Sequence, residues 1–137
     1  MRTVTETING ASVVTEIWMY RGDDEVIVVP LFSGSGESRT PYEMQSGDTV
    51  TLTVRETPSE ESPVLLQITS APGSNRIPIR HEDTAEFAPG QYSADIQLFT
   101  ADGMRKTVWP DFDPSGSNLY VGLNLKNFVI IPEVTTL

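Results

Sequence analysis

Residues 88–110 read Ala88-Pro89-Gly90-Gln91-Tyr92-Ser93-Ala94-Asp95-Ile96-Gln97-Leu98-Phe99-Thr100-Ala101-Asp102-Gly103-Met104-Arg105-Lys106-Thr107-Val108-Trp109-Pro110. This stretch reads as one complete antiparallel hairpin. Pro89-Gly90 turns the chain in. Tyr92, Ala94, Ile96 and Leu98 then alternate with Ser93, Asp95 and Gln97. Strict alternation marks a strand with one buried face and one wet face. Ala101-Asp102-Gly103 reverses the chain, and Gly103 supplies the positive φ of a tight hairpin. The return strand carries Val108 and Trp109. The class is therefore antiparallel β, and alternation by itself names no chemistry.

Working outward, the same grammar recurs on both sides. Residues 12–19 are β-branched and aromatic and read as a first strand, ended by the turn Arg21-Gly22-Asp23-Asp24. Glu25–Phe32 is a second, its Val-Ile-Val-Val run indicating burial on both faces or a central position. Ser33–Ser38 is a Gly/Ser loop. Ser46-Gly47-Asp48 turns into Thr49–Glu56, where Val50, Leu52 and Val54 alternate with threonines. Val64–Thr69 follows a polar loop. Arg76–Glu82 reads as an edge segment, because Pro78 cannot donate to a ladder. Asn127–Val134 is the last strand. About eight strands at turn spacings of roughly 8–15 residues fit a β-sandwich or a small barrel, and a sandwich of two sheets is the expectation. The expected core is Trp18, Val26, Val28, Val50, Leu52, Val54, Leu66, Phe87, Tyr92, Ile96, Leu98, Val108 and Ile130. No helical period, internal repeat or linker divides residues 1–137, so a single domain is expected.

Size and charge bound the function. A chain of 137 residues hides roughly two thirds of its unfolded surface on folding, enough for a core without staples. There is no cysteine, hence no disulfide framework and no thiolate ligand or nucleophile. No apolar run approaches the roughly 18 residues of a membrane helix. Nineteen acidic residues against nine basic ones give a net charge of −10. Such a surface repels phosphate backbones and anionic lipids, so neither nucleic acid nor membrane is expected as a partner.

The candidate chemistries are thin. Arg21-Gly22-Asp23 is an integrin-type tripeptide, but it sits where a strand turn requires glycine anyway. Asp111-Phe112-Asp113-Pro114-Ser115-Gly116 opens like a calcium loop, yet its twelfth position is Gly122 rather than a bidentate glutamate. His81 is the only histidine, with Glu82 and Asp83 beside it, and no Gly-x-Ser-x-Gly elbow accompanies it. Paired carboxylates for glycoside hydrolysis depend on spacing in space, which sequence does not give. No phosphate-cradling glycine loop occurs. The expectation is no enzyme, no cofactor and no metal. Trp18, Trp109, Tyr42, Tyr120 and Phe112 could form an aromatic sugar platform, with Phe112 and Tyr120 in or beside the long Gly/Ser loop.

Three segments in order carry a family likeness: Gly47-Asp48-Thr49-Val50-Thr51-Leu52-Thr53-Val54, Ala88–Leu98, and Asn127-Phe128-Val129-Ile130-Ile131-Pro132-Glu133-Val134-Thr135. Together they resemble the N-terminal immunoglobulin-like domain of upper baseplate proteins, and related small tail or neck proteins, of phages and prophages of Gram-positive bacteria. The likeness spans roughly residues 20–135. It implies an immunoglobulin-like sandwich in a non-enzymatic virion protein, made in the bacterial cytoplasm. Such proteins are usually homo-oligomeric and dock to other virion proteins. Baseplate proteins of this kind continue into a receptor-binding part, whereas this sequence stops at Leu137, which favours a scaffold, adaptor or decoration role.

Contacts are then expected at terminal edge strands, Ile8–Met19 and Asn127–Leu137, and in the loop Asp111–Tyr120. The residues expected to meet partners are Trp109, Phe112, Tyr120, Phe128 and Ile130. Two other readings stand beside this one. One is a carbohydrate-binding or adhesin module using Trp109, Phe112 and Tyr120. The other is a small phage inhibitor of a host protein, whose acidic surface mimics nucleic acid.

Overall fold

Alternating β-branched sequence makes strands, and strands account for nearly all the regular structure of this chain. The computed structural model describes residues 1–8, 11–34, 39–111 and 125–134. Among these lie β1 (Arg2–Ile8), β2 (Ala11–Tyr20), β3 (Glu25–Val28), β4 (Phe32–Ser33), β5 (Thr40–Pro41) and β6 (Thr49–Arg55). Then follow β7 (Val64–Thr69), β8 (Arg76–Ile79), a four-residue helix α1 (His81–Thr84), β9 (Gly90–Phe99), β10 (Arg105–Trp109) and β11 (Phe128–Ile131). The fold is all-β, with more and shorter strands than the sequence suggested.

The main sheet runs β1-β2-β11-β9-β6-β7, with β10 also joined to β9. β3 pairs with β8, and β4 with β5. The hairpin of residues 88–110 is present as β9 and β10. One expectation is corrected here: the sheet is mixed, because β11 runs parallel to β2. β11 is also no edge. It lies between β2 and β9, and its Phe128, Val129 and Ile130 are all buried. β2 pairs with β1 along most of its length but with β11 only from Ile17 to Tyr20, so of Ile8–Met19 only Ile17–Met19 lie inside the sheet, while Ile8 belongs to β1. At this end of the sheet the open edge belongs to β1, and β7 forms the edge at the other end.

β9 carries the sheet across a fork. One of its edges pairs with β6 from Ser93 to Phe99. Its other edge is shared: Gly90–Tyr92 pair with β11, and Ile96–Phe99 pair with β10. Between these two partners the backbone of Ala94 faces no strand. The side chain of Asn127 fills that gap. Its Oδ1 accepts from the Ala94 N–H at 2.8 Å, and its Nδ2 donates to the Ala94 carbonyl at 3.0 Å. An amide can satisfy both groups because it carries a donor and an acceptor at peptide spacing.

One apolar cluster lies under this sheet. Val50, Leu52 and Val54 of β6 meet Ala94, Ile96 and Leu98 of β9, with Phe128 and Ile130 of β11 and Ile17 and Met19 of β2. The β3–β8 pair adds Ile27, Ile77 and Ile79. Three expected core residues are corrected. Val26 and Val28 are 46% and 53% exposed, since β3 turns its odd positions inward. Trp18 lies half-buried on the other face of β2, under the Arg2 guanidinium at 5.5 Å.

At one end of the sheet three turns are tied together by Asp48. It is 1% exposed. Its carboxylate accepts from Tyr42 Oη at 2.5 Å, the Gln45 N–H at 2.9 Å and the Ala101 N–H at 3.0 Å. Its carbonyl accepts from the Gly73 N–H at 2.7 Å. The Tyr42 bond, then those from Gln45 and Ala101, hold this carboxyl below the usual aspartate range. The same bond raises the Tyr42 phenol. Gly47 sits at φ +93°, and a Cβ there would meet the Ala101 Cβ at 3.1 Å, so both conformation and space call for glycine.

Candidate functional site

The wet face of the central strands is unusually polar and partly enclosed. Register sets three rungs side by side: Arg55 opposite Ser93, Thr53 opposite Asp95, and Thr51 opposite Gln97. Side chains two apart on a strand share a face, so all six point away from the apolar cluster. Most of the neighbouring polar groups are paired. Thr51 and Thr69 hydroxyls meet at 2.8 Å, Gln67 Nε2 donates to Thr53 Oγ1 at 3.1 Å, and Gln97 Nε2 donates to Thr107 Oγ1 at 3.4 Å.

Over β9 this face becomes a cleft of about 250 Å³. Its floor is Ser93 and Asp95. One wall is the loop of residues 57–60, and the other includes Pro110 and Leu125. Arg55 builds the first wall: its Nη1 donates to the carbonyls of Glu60 at 3.2 Å and Ser62 at 2.5 Å. Ser62 Oγ in turn accepts from the Thr57 N–H at 3.2 Å.

The two floor groups are the ones left over. Ser93 is 6% exposed, and its Oγ has no hydrogen-bond partner. Asp95 is half-buried and makes no hydrogen bond or ion pair among the described residues. Burial raises its carboxyl above the usual range, and the nearby Arg55 charge offsets part of that rise. Buried polar atoms are almost always paired, so a buried hydroxyl beside an unpaired carboxylate marks a place prepared for something else. The sequence showed Ser93 and Asp95 only as the wet half of an alternation. The register that puts Thr53 and Arg55 beside them, and the loop that walls them in, are tertiary.

The residues expected to meet partners do not gather here. Trp109, Phe128 and Ile130 are 8%, 0% and 1% exposed and belong to the core, with Trp109 also lining the groove between β2, β3 and β10. For Trp109 the cause is a bulge in β10: Thr107 faces Gln97 and Trp109 faces Ile96, so Val108 is the extra residue and the indole turns inward. The indole N–H donates to the Val14 carbonyl at 2.9 Å. For Phe128 and Ile130 the cause is the central place of β11. Phe112 and Tyr120 lie outside the described residues, as does most of the Asp111–Asn118 loop.

The other motifs are occupied by structure. Arg21 grips Glu133 at 3.1 and 3.3 Å, its N–H donates to the Ile131 carbonyl, and the Gly22 N–H donates to Thr84 Oγ1 at 2.8 Å. This turn therefore ties the end of β2 to the end of β11 and to α1. His81 is exposed between Asp24, at 3.1 Å, and Glu82, at 3.3 Å. Among the described residues no cluster of three metal-binding side chains is formed, and no helix is long and apolar enough to cross a membrane.

A larger groove of about 530 Å³ lies between β2, β3 and β10. It opens because β11 covers β2 only from Ile17 onward, leaving β10 and the first half of β2 apart. Its floor is aliphatic, with Val13, Ile17, Ile27, Val29 and Ile96, and its rim holds the Arg39–Asp111 pair at 2.7 Å. Such a floor offers no directional recognition, which leaves the polar cleft as the better candidate site. The chain matches no protein-family model, no curated protein and no solved structure.

Proposed function

We propose that this chain is a non-enzymatic structural protein of a phage virion, a baseplate, tail, neck or decoration component, which assembles with copies of itself through an open strand edge. Its body is read as an immunoglobulin-like sandwich, the β3–β8 pair lying over the main sheet. Two features support that body. The order β2-β11-β9-β6-β7, with β3–β8 apart from it, follows the division of strands in variable-type immunoglobulin domains. The Tyr92 hydroxyl donates to the Ala88 carbonyl at 2.5 Å, the arrangement of a tyrosine corner at the strand entering after α1.

The observation that carries the assembly reading is the outer edge of β1. Its seven residues pair with β2 on one side only, among the described residues. An unpaired edge is a template for another strand. The sequence Arg2-Thr3-Val4-Thr5-Glu6 is complementary to itself: antiparallel pairing of two copies about Val4 sets position 2 of each opposite position 6 of the other. A closed two-fold contact of this kind joins two sheets into one. Opposite charges across strands favour it, in a chain whose net charge otherwise drives copies apart.

Light scattering coupled to size exclusion tests this. The wild type is expected to be a dimer or a multiple of one. Arg2→Glu and Glu6→Arg each place like charges across the contact and are expected to shift the population to monomer. The double swap is expected to restore association. A monomeric wild type, single variants that stay associated, or a double swap that stays dissociated overturns the reading.

A further inference from the structure

We propose that the cleft over Ser93 and Asp95 is a binding site for a small, uncharged, polyhydroxylated ligand, a single saccharide unit. The inference stands apart from the assembly reading, because β1 contributes nothing to the cleft. Its first support is the Ser93 hydroxyl, buried and without a partner. A polar group left this way costs stability, and the cost is relieved when a ligand supplies the missing bond. A second, independent support is the Asp95 carboxylate on the same floor, one side chain further along the same face, with its acceptor positions unfilled among the described residues.

The chemistry of the lining selects the ligand. Asp95 accepts, Ser93 can donate or accept, and Arg55 contributes a guanidinium on the adjoining wall. Vicinal hydroxyls answer all three, since each both donates and accepts. A net charge on the ligand gains little, because the Arg55 and Asp95 charges stand beside each other and offset. The volume of about 250 Å³ lies below the roughly 300–1,000 Å³ of sites for drug-sized molecules, so one ring is the matching size. No aromatic side chain is among the described lining residues, so binding rests on hydrogen bonds and is expected to be weak, with Kd on the order of 1 mM.

Amide spectra of the full chain, titrated with glucose, galactose and N-acetylglucosamine and with glucosamine and glucuronate as charged controls, test it. Neutral sugars are expected to give saturable shifts at Thr53, Arg55, Ser93 and Asp95. Ser93→Ala is expected to keep the fold and weaken binding roughly tenfold. Asp95→Asn is expected to weaken it as well. Arg2→Glu, which dissociates the proposed dimer, is expected to leave binding unchanged, which separates failure of one reading from failure of the other. Absence of shifts with every neutral sugar, shifts confined to the charged controls, or an unchanged Kd in Ser93→Ala overturns the proposal.

Discussion

Asp48 and Asp95 lie within one strand of each other and have opposite surroundings. Asp48 is sealed at the end of the sheet with a donor for every acceptor position it uses: a phenol and two backbone amides. Asp95 stands on the polar face, half-buried, beside a serine hydroxyl with no partner. Their carboxyls accordingly move in opposite directions, Asp48 down and Asp95 up. The contrast separates two uses of a buried acid. One that is fully hydrogen-bonded is framework, and removing it leaves its donors stranded. One that is not is a standing cost, kept where something other than the fold makes use of it.

The largest break in this comparison is Asp48→Ala. It strands Tyr42, Gln45 and Ala101 together and loosens three turns, so Tm is expected to fall by about 12 °C in a thermal melt. Asn127→Ala comes next. It leaves the Ala94 N–H and carbonyl unpaired at the fork of β9, and the expected fall is about 8 °C, with faster hydrogen exchange at Ala94. A fall as small as a surface substitution gives would show that water replaces the amide there without loss.

The smallest effect sharpens the contrast by its sign. Asp48 has a depressed folded-state pKa, so its stabilisation is complete above the unfolded value of about 3.9 and is lost as pH falls through the folded one. Asp95 has a raised folded-state pKa. Its ionised form costs stability above that value, and the cost fades as pH falls and the carboxyl protonates. Asp95→Asn is therefore expected to raise Tm by about 2 °C near neutral pH, with the gain shrinking on acidification. The deficit of Asp48→Ala should persist until about pH 4 and only then narrow. Parallel melt series for the two variants against the wild type read this directly, and curves of the same sign at neutral pH would erase the distinction.

How much of this was legible in the sequence depended on whether a strand carries polar residues on one parity. β6 does: its threonines alternate with Val50, Leu52 and Val54, and those three are fully buried as the alternation requires. The same holds for Ile96 and Leu98 of β9. The run Val26–Val29 through β3 does not, being apolar on both parities, and only packing against the main cluster decides that Ile27 and Val29 turn inward. Trp18 misled for a related reason, since size suggested core while Met19 takes the inner position. β1 was passed over although its run of Thr, Val and Ile has strand propensity. The position of β11 was beyond reach, because the last strand in sequence is commonly an edge and nothing local distinguishes one that inserts. The cleft was invisible for the same reason, being made of register and a loop.

The insertion of β11 bears on how the chain is made. Ile17 and Phe128 are partners, yet 111 positions separate them. During synthesis from the N-terminus, β2 and β9 emerge with a vacant slot between them, and the strand that fills it emerges after every other described strand. Until then neither neighbour has its final hydrogen bonds on that side, and the apolar cluster lacks Phe128 and Ile130. Closure of the body is thus a late, long-range event, of the kind that slows folding and exposes unfinished edges to other chains in the meantime.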